Sequence, residues 1–177
     1  MNEKLLRIIA ATGVVIGGVF GMAGSFAPSA SLRGLAWGVD GTGLVLATSL
    51  LTIYYFRKGA DLAAAGFLIF AIGQGLILST AGTDPAASAA SFGAGVILWA
   101  TALILISSQN IFPLFIRCTG FIAAVLFVIV SGLIFGDHSV NALTEPLPAY
   151  AYPVFALTIF GWAWTLLRKN NSVTGKF

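Results

Sequence analysis

Apolar residues in this chain neither alternate with polar ones nor fall in narrow stripes; they run in long blocks separated by short polar breaks that contain proline, glycine and serine. Six blocks stand out: Leu5 to Gly24, Leu35 to Phe56, Ala60 to Ser79, Ala90 to Ile106, Phe112 to Phe135 and Ala149 to Leu167. Crossing the hydrocarbon of a bilayer, roughly 30 Å thick, takes about 20 helical residues, and each block approaches or meets that length. The breaks Ala27-Pro28-Ser29, Asp84-Pro85 and Glu145-Pro146-Leu147-Pro148 carry the residues that end helices and start turns. A membrane barrel would instead show segments of about ten residues alternating apolar and polar positions. Because a helix satisfies its own backbone in lipid without a neighbour's edge, the pattern predicts an all-α integral membrane protein. The expected architecture is a six-transmembrane-helix bundle forming one membrane domain over 1–177, with a short polar tail at 170–177.

Composition supports lipid as the solvent. Of 177 residues, 58% are hydrophobic and 8% charged, whereas soluble domains carry about a quarter charged residues. A chain this short has too little interior to hide that much apolar surface from water, so the excess faces lipid. The lipid bilayer is thus its first expected partner. The net charge of +3 does not point to nucleic acid, because the basic residues stand at helix ends and form no stripe interleaved with aromatics.

Their placement orients the bundle. With the N-terminus in the cytoplasm, Lys4, Arg7, Arg57, Lys58, Arg117, Arg168, Lys169 and Lys176 fall on one side and Arg33 alone on the other. That asymmetry follows the positive-inside rule and predicts both termini cytoplasmic; the alternation of short outer and inner loops suggests a plasma membrane of bacterial type. Lys4 and Arg7 before an apolar run, with Ala27-Pro28-Ser29 after it, also resemble a signal peptide, but the run exceeds the apolar core of one. It is expected to remain as a helix.

Gly13, Gly17 and Gly21 form a GxxxGxxxG face on the first helix, and Gly34 and Gly38 repeat the spacing on the second. In lipid, small residues at every fourth position mark surfaces where backbones approach closely. Packing between these two neighbouring helices is the favoured expectation, ahead of a homo-oligomer seam or a face for a partner membrane subunit.

More telling is the outer half of the second helix. Arg33, Trp37 and Asp40 recur at i, i+4 and i+7 and share a face. Counting back from Phe56 puts Asp40 roughly 24 Å from the cytoplasmic end, and counting on from Ala60 puts Gln74 roughly 21 Å from it. An amide or carboxylate at such depth is penalised against lipid and turns inward. The expectation is one outward-facing polar pocket holding Arg33, Trp37, Asp40 and Gln74, with Arg33 pairing with Asp40 and with His138 or Tyr150 contributing from the last outer loop and the sixth helix. The competing structural expectation is an Arg33–Asp40 ion pair with Trp37 as an interfacial anchor.

Asp137-His138 offers half of a metal or acid-base site, but His138 is the single histidine and a zinc site needs more ligands; a solvated loop is the expectation. Tyr54, Tyr55, Trp162 and Trp164 suit an inner aromatic belt, and Cys118, the one cysteine, suits a small packing position. No nucleophile elbow, zinc-binding helix motif, phosphate-binding loop or di-iron carboxylate cluster is present. The chain is therefore expected not to be an enzyme, and to need neither cofactor nor metal.

In size and helix count the chain is similar to the substrate-binding subunits of energy-coupling-factor vitamin transporters, a likeness of architecture that carries no residues across. The function expected from the residues is binding or translocation of a small solute or ion through the outward-facing pocket. The alternative is a structural or assembly subunit of a larger membrane complex, packed solid where the pocket is expected.

Overall fold

The computed structural model describes residues 3–80, 83–136, 138, 140, 143 and 146–168. Among these residues the chain is all-helical: α1 (Glu3–Ser25), α2 (Ala30–Arg57), α3 (Asp61–Ser79), α4 (Pro85–Ser107), α5 (Leu114–Phe135), a π-helical turn (Leu147–Ala151) and α6 (Tyr152–Arg168). Six helical segments, the last comprising the π turn and α6 together, are long and apolar enough to cross a membrane. The tail at 170–177, Asp137 and Glu145 lie outside the described residues.

Helix ends follow capping chemistry more closely than hydropathy. α2 starts at Ala30 rather than Leu35 because the Ser29 hydroxyl accepts a hydrogen bond from the Leu32 N–H, 3.3 Å away. α4 starts at Pro85 rather than Ala90, its first turn capped by the Asp84 carboxylate, which accepts from the Ala87 N–H at 3.2 Å. Those first residues are alanine and serine, helical but weakly apolar, so a hydropathy reading begins too late. At the other end of α4 the Arg117 Nε donates to the Ser107 carbonyl at 2.7 Å, satisfying a carbonyl that the finished helix leaves open. Between α2 and α3 the chain turns in three residues. Gly59 adopts φ 69°, its N–H donates to the Phe56 carbonyl and the Ala60 N–H to the Tyr55 carbonyl; this is the Schellman closure, in which a left-handed residue after the helix is cheapest as glycine.

Each helix packs against the next in sequence, and α6 closes the ring by packing against α1. Six of the seven described basic residues, Lys4, Arg7, Arg57, Lys58, Arg117 and Arg168, gather at one end of the bundle, the basic end, where the Lys58 ammonium pairs with Glu3 at 2.8 Å; Arg33 stands at the other. α1 meets α2 along its glycines: a Cβ on Gly13 would lie 2.9 Å from the Ala47 Cβ, one on Gly17 would clash with the Leu44 side chain, one on Gly21 would lie 3.3 Å from the Asp40 carboxyl and one on Gly24 would clash with the Trp37 ring. A Cβ on Gly34 or Gly38 would meet nothing within 4 Å beyond its own helix. The α2 side of this contact therefore runs through Trp37, Asp40, Gly43, Leu44 and Ala47, not through Gly34 and Gly38.

Inside the ring, toward the basic end, aromatic side chains fill the axis. Tyr55 stacks on Phe67 at 5.3 Å, Phe67 meets Trp162 edge-on at 5.1 Å, and Phe70 stacks on Trp99 and Phe155, both at 5.7 Å. These spacings are those of favourable offset and edge-to-face ring pairs. Tyr54, Tyr55 and Trp162 thus belong to the packed interior instead of an interfacial belt, because their faces of α2 and α6 turn toward the ring's centre. Trp164 does stand outside, 62% exposed, with the Arg168 guanidinium over its ring. Cys118, expected to pack, is exposed. The outer surface of every helix bears large apolar side chains, among them Val15, Leu46, Ile72, Ile104, Val125 and Leu157.

Candidate functional site

At the end opposite the basic residues the interior is open: a cavity of about 420 Å³ sits among α2, α3, α4, the start of α6 and the segment before it. From α2 it receives Arg33, Gly34, Trp37 and Asp40, the stripe that helical spacing puts on one face. From α3 come Gln74, Ile77 and Thr80, and from α4 Ser88 and Phe92. Val140 and Leu143, from the segment linking α5 to α6, and Tyr152, the first residue of α6, complete the wall.

Polarity in the cavity is sorted by depth. Asp40 is the innermost α2 residue in the wall and Gln74 the innermost from α3; they are 5% and 2% exposed. The Gln74 side chain stands beside the Asp40 carboxyl, and its Oε1 is buried without a hydrogen-bond partner. Nearer the mouth, Arg33 reaches back to donate from Nη2 to the Ala27 carbonyl at 3.3 Å and holds its guanidinium 6.0 Å from the centre of the Trp37 ring. The expected Arg33–Asp40 ion pair is not formed; Arg33 extends away from the interior, as long basic side chains do near helix ends. Its Nε and the Trp37 Nε1 are both buried and without hydrogen-bond partners. All three atoms are closed to solvent, and the Trp37 Nε1 packs against Gly24 of α1, so the wall open to the cavity is mostly apolar with Asp40 and Gln74 at its floor.

Two expected contributors are elsewhere. Tyr150 is 54% exposed and does not line the cavity. Tyr152, two residues on and 6% exposed, does. The cause is the π turn, in which the Ala151 N–H donates to the Pro146 carbonyl five residues back; the wider turn shifts the angular phase on which a 3.6-residue period relies. His138 is exposed and lies beside Gly136 at the end of α5, outside the cavity wall. Thr80, Ser88 and Phe92 carry no sequence signal beyond their place near helix ends, so neither hydropathy nor spacing singles them out.

Among the described residues no three histidine, cysteine or acidic side chains group to hold a metal ion. Below Asp40 and Gln74 the cavity stops at Tyr152, Trp99, Phe155 and Phe70, whose rings stand 5.3 to 6.5 Å from one another. The site is accordingly a blind pocket entered from one end.

Fold and cavity together define a class: a small multi-pass helical chain of membrane-spanning character, with a one-ended, largely apolar pocket floored by a carboxyl and an amide. Compared with protein-family models, curated proteins and solved structures, the chain matches none.

Proposed function

We propose that this is a multi-pass membrane protein that binds a small solute from the outer side of a plasma membrane, in the pocket floored by Asp40 and Gln74. The observation that carries the reading is the cavity of about 420 Å³ with Asp40 and Gln74 at its floor and Arg33 nearer its mouth. Pockets for small organic ligands have this character, mostly apolar with a few converging polar groups, and volumes of roughly 300–1,000 Å³. A purely structural subunit would have no reason to keep a carboxyl and an amide beside a void at membrane depth, where an ionisable side chain is costly. The apolar outer surface supports lipid around the bundle. The cluster of arginine and lysine at the opposite end supports both termini in the cytoplasm and the mouth outside.

Translocation to the cytoplasm would require the aromatic column between the pocket and the basic end to part, so on this reading the chain stands outward-facing and closed below. The test is thermal stability of detergent-purified protein against a solute library, with Asp40→Asn and Gln74→Leu alongside the parent chain. A compound that raises the melting temperature of the parent and not of the variants is the expected result. A library without any stabilising compound, or stabilisation indifferent to both substitutions, removes the reading.

A further inference from the structure

Of the four glycines on α2, two make room for neighbours: a Cβ on Gly41 would meet Leu78 of α3 at 2.8 Å, and one on Gly43 would meet the Gly13 carbonyl oxygen at 3.3 Å. Gly34 makes room for none, since a Cβ there would meet nothing within 4 Å beyond its own helix. Glycine inside a helix is less stable than alanine, so a position with no neighbour to admit has no packing reason to keep it. What lies beside Gly34 is the cavity. Ala30, Arg33, Gly34, Trp37 and Asp40 all line it, and their spacing is that of one helix face, so a side chain at position 34 would project toward the void. Small residues recur opposite: the outer ends of α3 and α4 put Thr80, Ser88 and Ala89 in the wall, and the large rings of Phe92 and Tyr152 come only deeper.

We infer that Gly34 sets the size of solute the pocket admits, and that this solute has a bulky apolar body lying against the bare α2 backbone at Gly34 and one hydrogen-bonding end toward Asp40; this rests on the solute-binding reading above. Without a Cβ a helix backbone can be approached closely by a ligand, so a ring system fits where a side chain would otherwise stand. Ile77, Leu78 and Leu143 offer that body an apolar wall, and burying it supplies affinity in proportion to its area. A hydroxyl at the far end both donates and accepts, and so matches a carboxyl beside an amide.

The test is isothermal titration of the whole purified chain in detergent with three alcohols of one head group and growing body: cyclopentylmethanol, cyclohexylmethanol and 1-adamantylmethanol. Parent, Gly34→Ala, Gly34→Leu, Gly38→Leu and Asp40→Ala chains are compared in the same micelles, so that partition into detergent cancels. The parent should bind 1-adamantylmethanol tightest. In Gly34→Leu that affinity should fall at least about tenfold, as overpacking of a filled site does, while cyclopentylmethanol binds nearly as before. Gly38→Leu, equally open but outside the cavity wall, should bind the series as the parent does, and Asp40→Ala should weaken all three alcohols alike. Gly34→Ala, whose methyl meets nothing, keeps the test decisive should the leucine variant fail to fold; it should weaken 1-adamantylmethanol alone, by less. An adamantyl affinity unchanged at position 34, a loss shared equally by the three alcohols there or matched in Gly38→Leu, or binding indifferent to Asp40→Ala overturns the proposal. If the solute library yields a pocket ligand but none of the alcohols binds, this inference falls and the solute-binding reading stands. If no compound of any class binds, both fall.

Discussion

The two halves of the bundle are made from the same six helices and behave as opposites. Toward the basic end the axis is filled with rings: Trp162 and Phe67 are essentially inaccessible and meet at 5.1 Å. Toward the other end the same ring of helices encloses a void with Asp40 and Gln74 at its floor. Side-chain volume accounts for the contrast. α3 places Phe67 and Phe70 on its inward face in one half and Gln74 in the other, while α4 moves from Trp99 to Phe92 and Ser88. Stability is thereby concentrated in one half, which leaves the other free to carry an open site.

The contrast is broken most severely by emptying the filled half. Trp162→Ala should cost about 3–5 kcal/mol, whereas Gln74→Leu, which removes a buried acceptor already lacking a partner, should leave stability within about 1 kcal/mol of the parent. Reversible unfolding in mixed detergent micelles measures both. A costly Gln74→Leu with a mild Trp162→Ala would reverse the assignment of the two halves.

Glycine substitutions sharpen it next. Gly13→Ala drives a methyl to 2.9 Å from the Ala47 Cβ and 3.0 Å from the Gly43 carbonyl oxygen, and should cost about 1–3 kcal/mol by overpacking. Gly38→Ala, with nothing within 4 Å, should stabilise α2 by about 0.5–1 kcal/mol through restricted backbone freedom. Opposite signs in the same unfolding assay are the expected outcome. Ser131→Ala, which deletes the buried hydrogen bond from α5 to the Gly93 carbonyl of α4 at 3.0 Å, should cost about 0.6 kcal/mol, the average for such bonds in membrane bundles.

The smallest effect belongs to the surface pair at the basic end. Its hydrogen bond to Glu3 raises the Lys58 ammonium above its ordinary value. A raised folded value means that the pair's contribution is complete below the ordinary lysine value and is lost as pH climbs through the higher folded one. With side chains 48% and 55% exposed, solvent and salt screen the pair to a few tenths of a kcal/mol at most. Lys58→Met should therefore shift the unfolding midpoint barely at neutral pH and not at all at strongly alkaline pH.

How much of this was legible in the sequence depends on what kind of signal each residue carries. Unbroken apolar runs report helix number well, because every side chain in a lipid-facing helix is apolar whichever way it points. They report helix starts poorly: residues 85–89 are helical, but their proline, alanine and serine content keeps them out of an apolar run. Depth can be counted, and counting put Asp40 and Gln74 at similar heights. Facing is harder to read. Tyr55 and Trp162 have the depth of belt residues and the orientation of core residues, and a tyrosine near a helix end is compatible with either. The exchange of Tyr150 for Tyr152 in the pocket wall came from one π turn, for which the Pro-containing segment 146–153 gave no specific cue.

The three-residue turn at Gly59 bears on how this chain tolerates change over time. With Gly59 and Ala60 both tied back into the end of α2, α3 has no slack by which to slide or rotate against its neighbour, so the meeting of Asp40 with Gln74 depends on an integer count of residues along each arm of the hairpin. Deleting or inserting a single residue between Asp61 and Gln74 turns the amide through about 100° and swings it off the pocket wall. In descendants of this chain, length should be held fixed from position 40 to position 74.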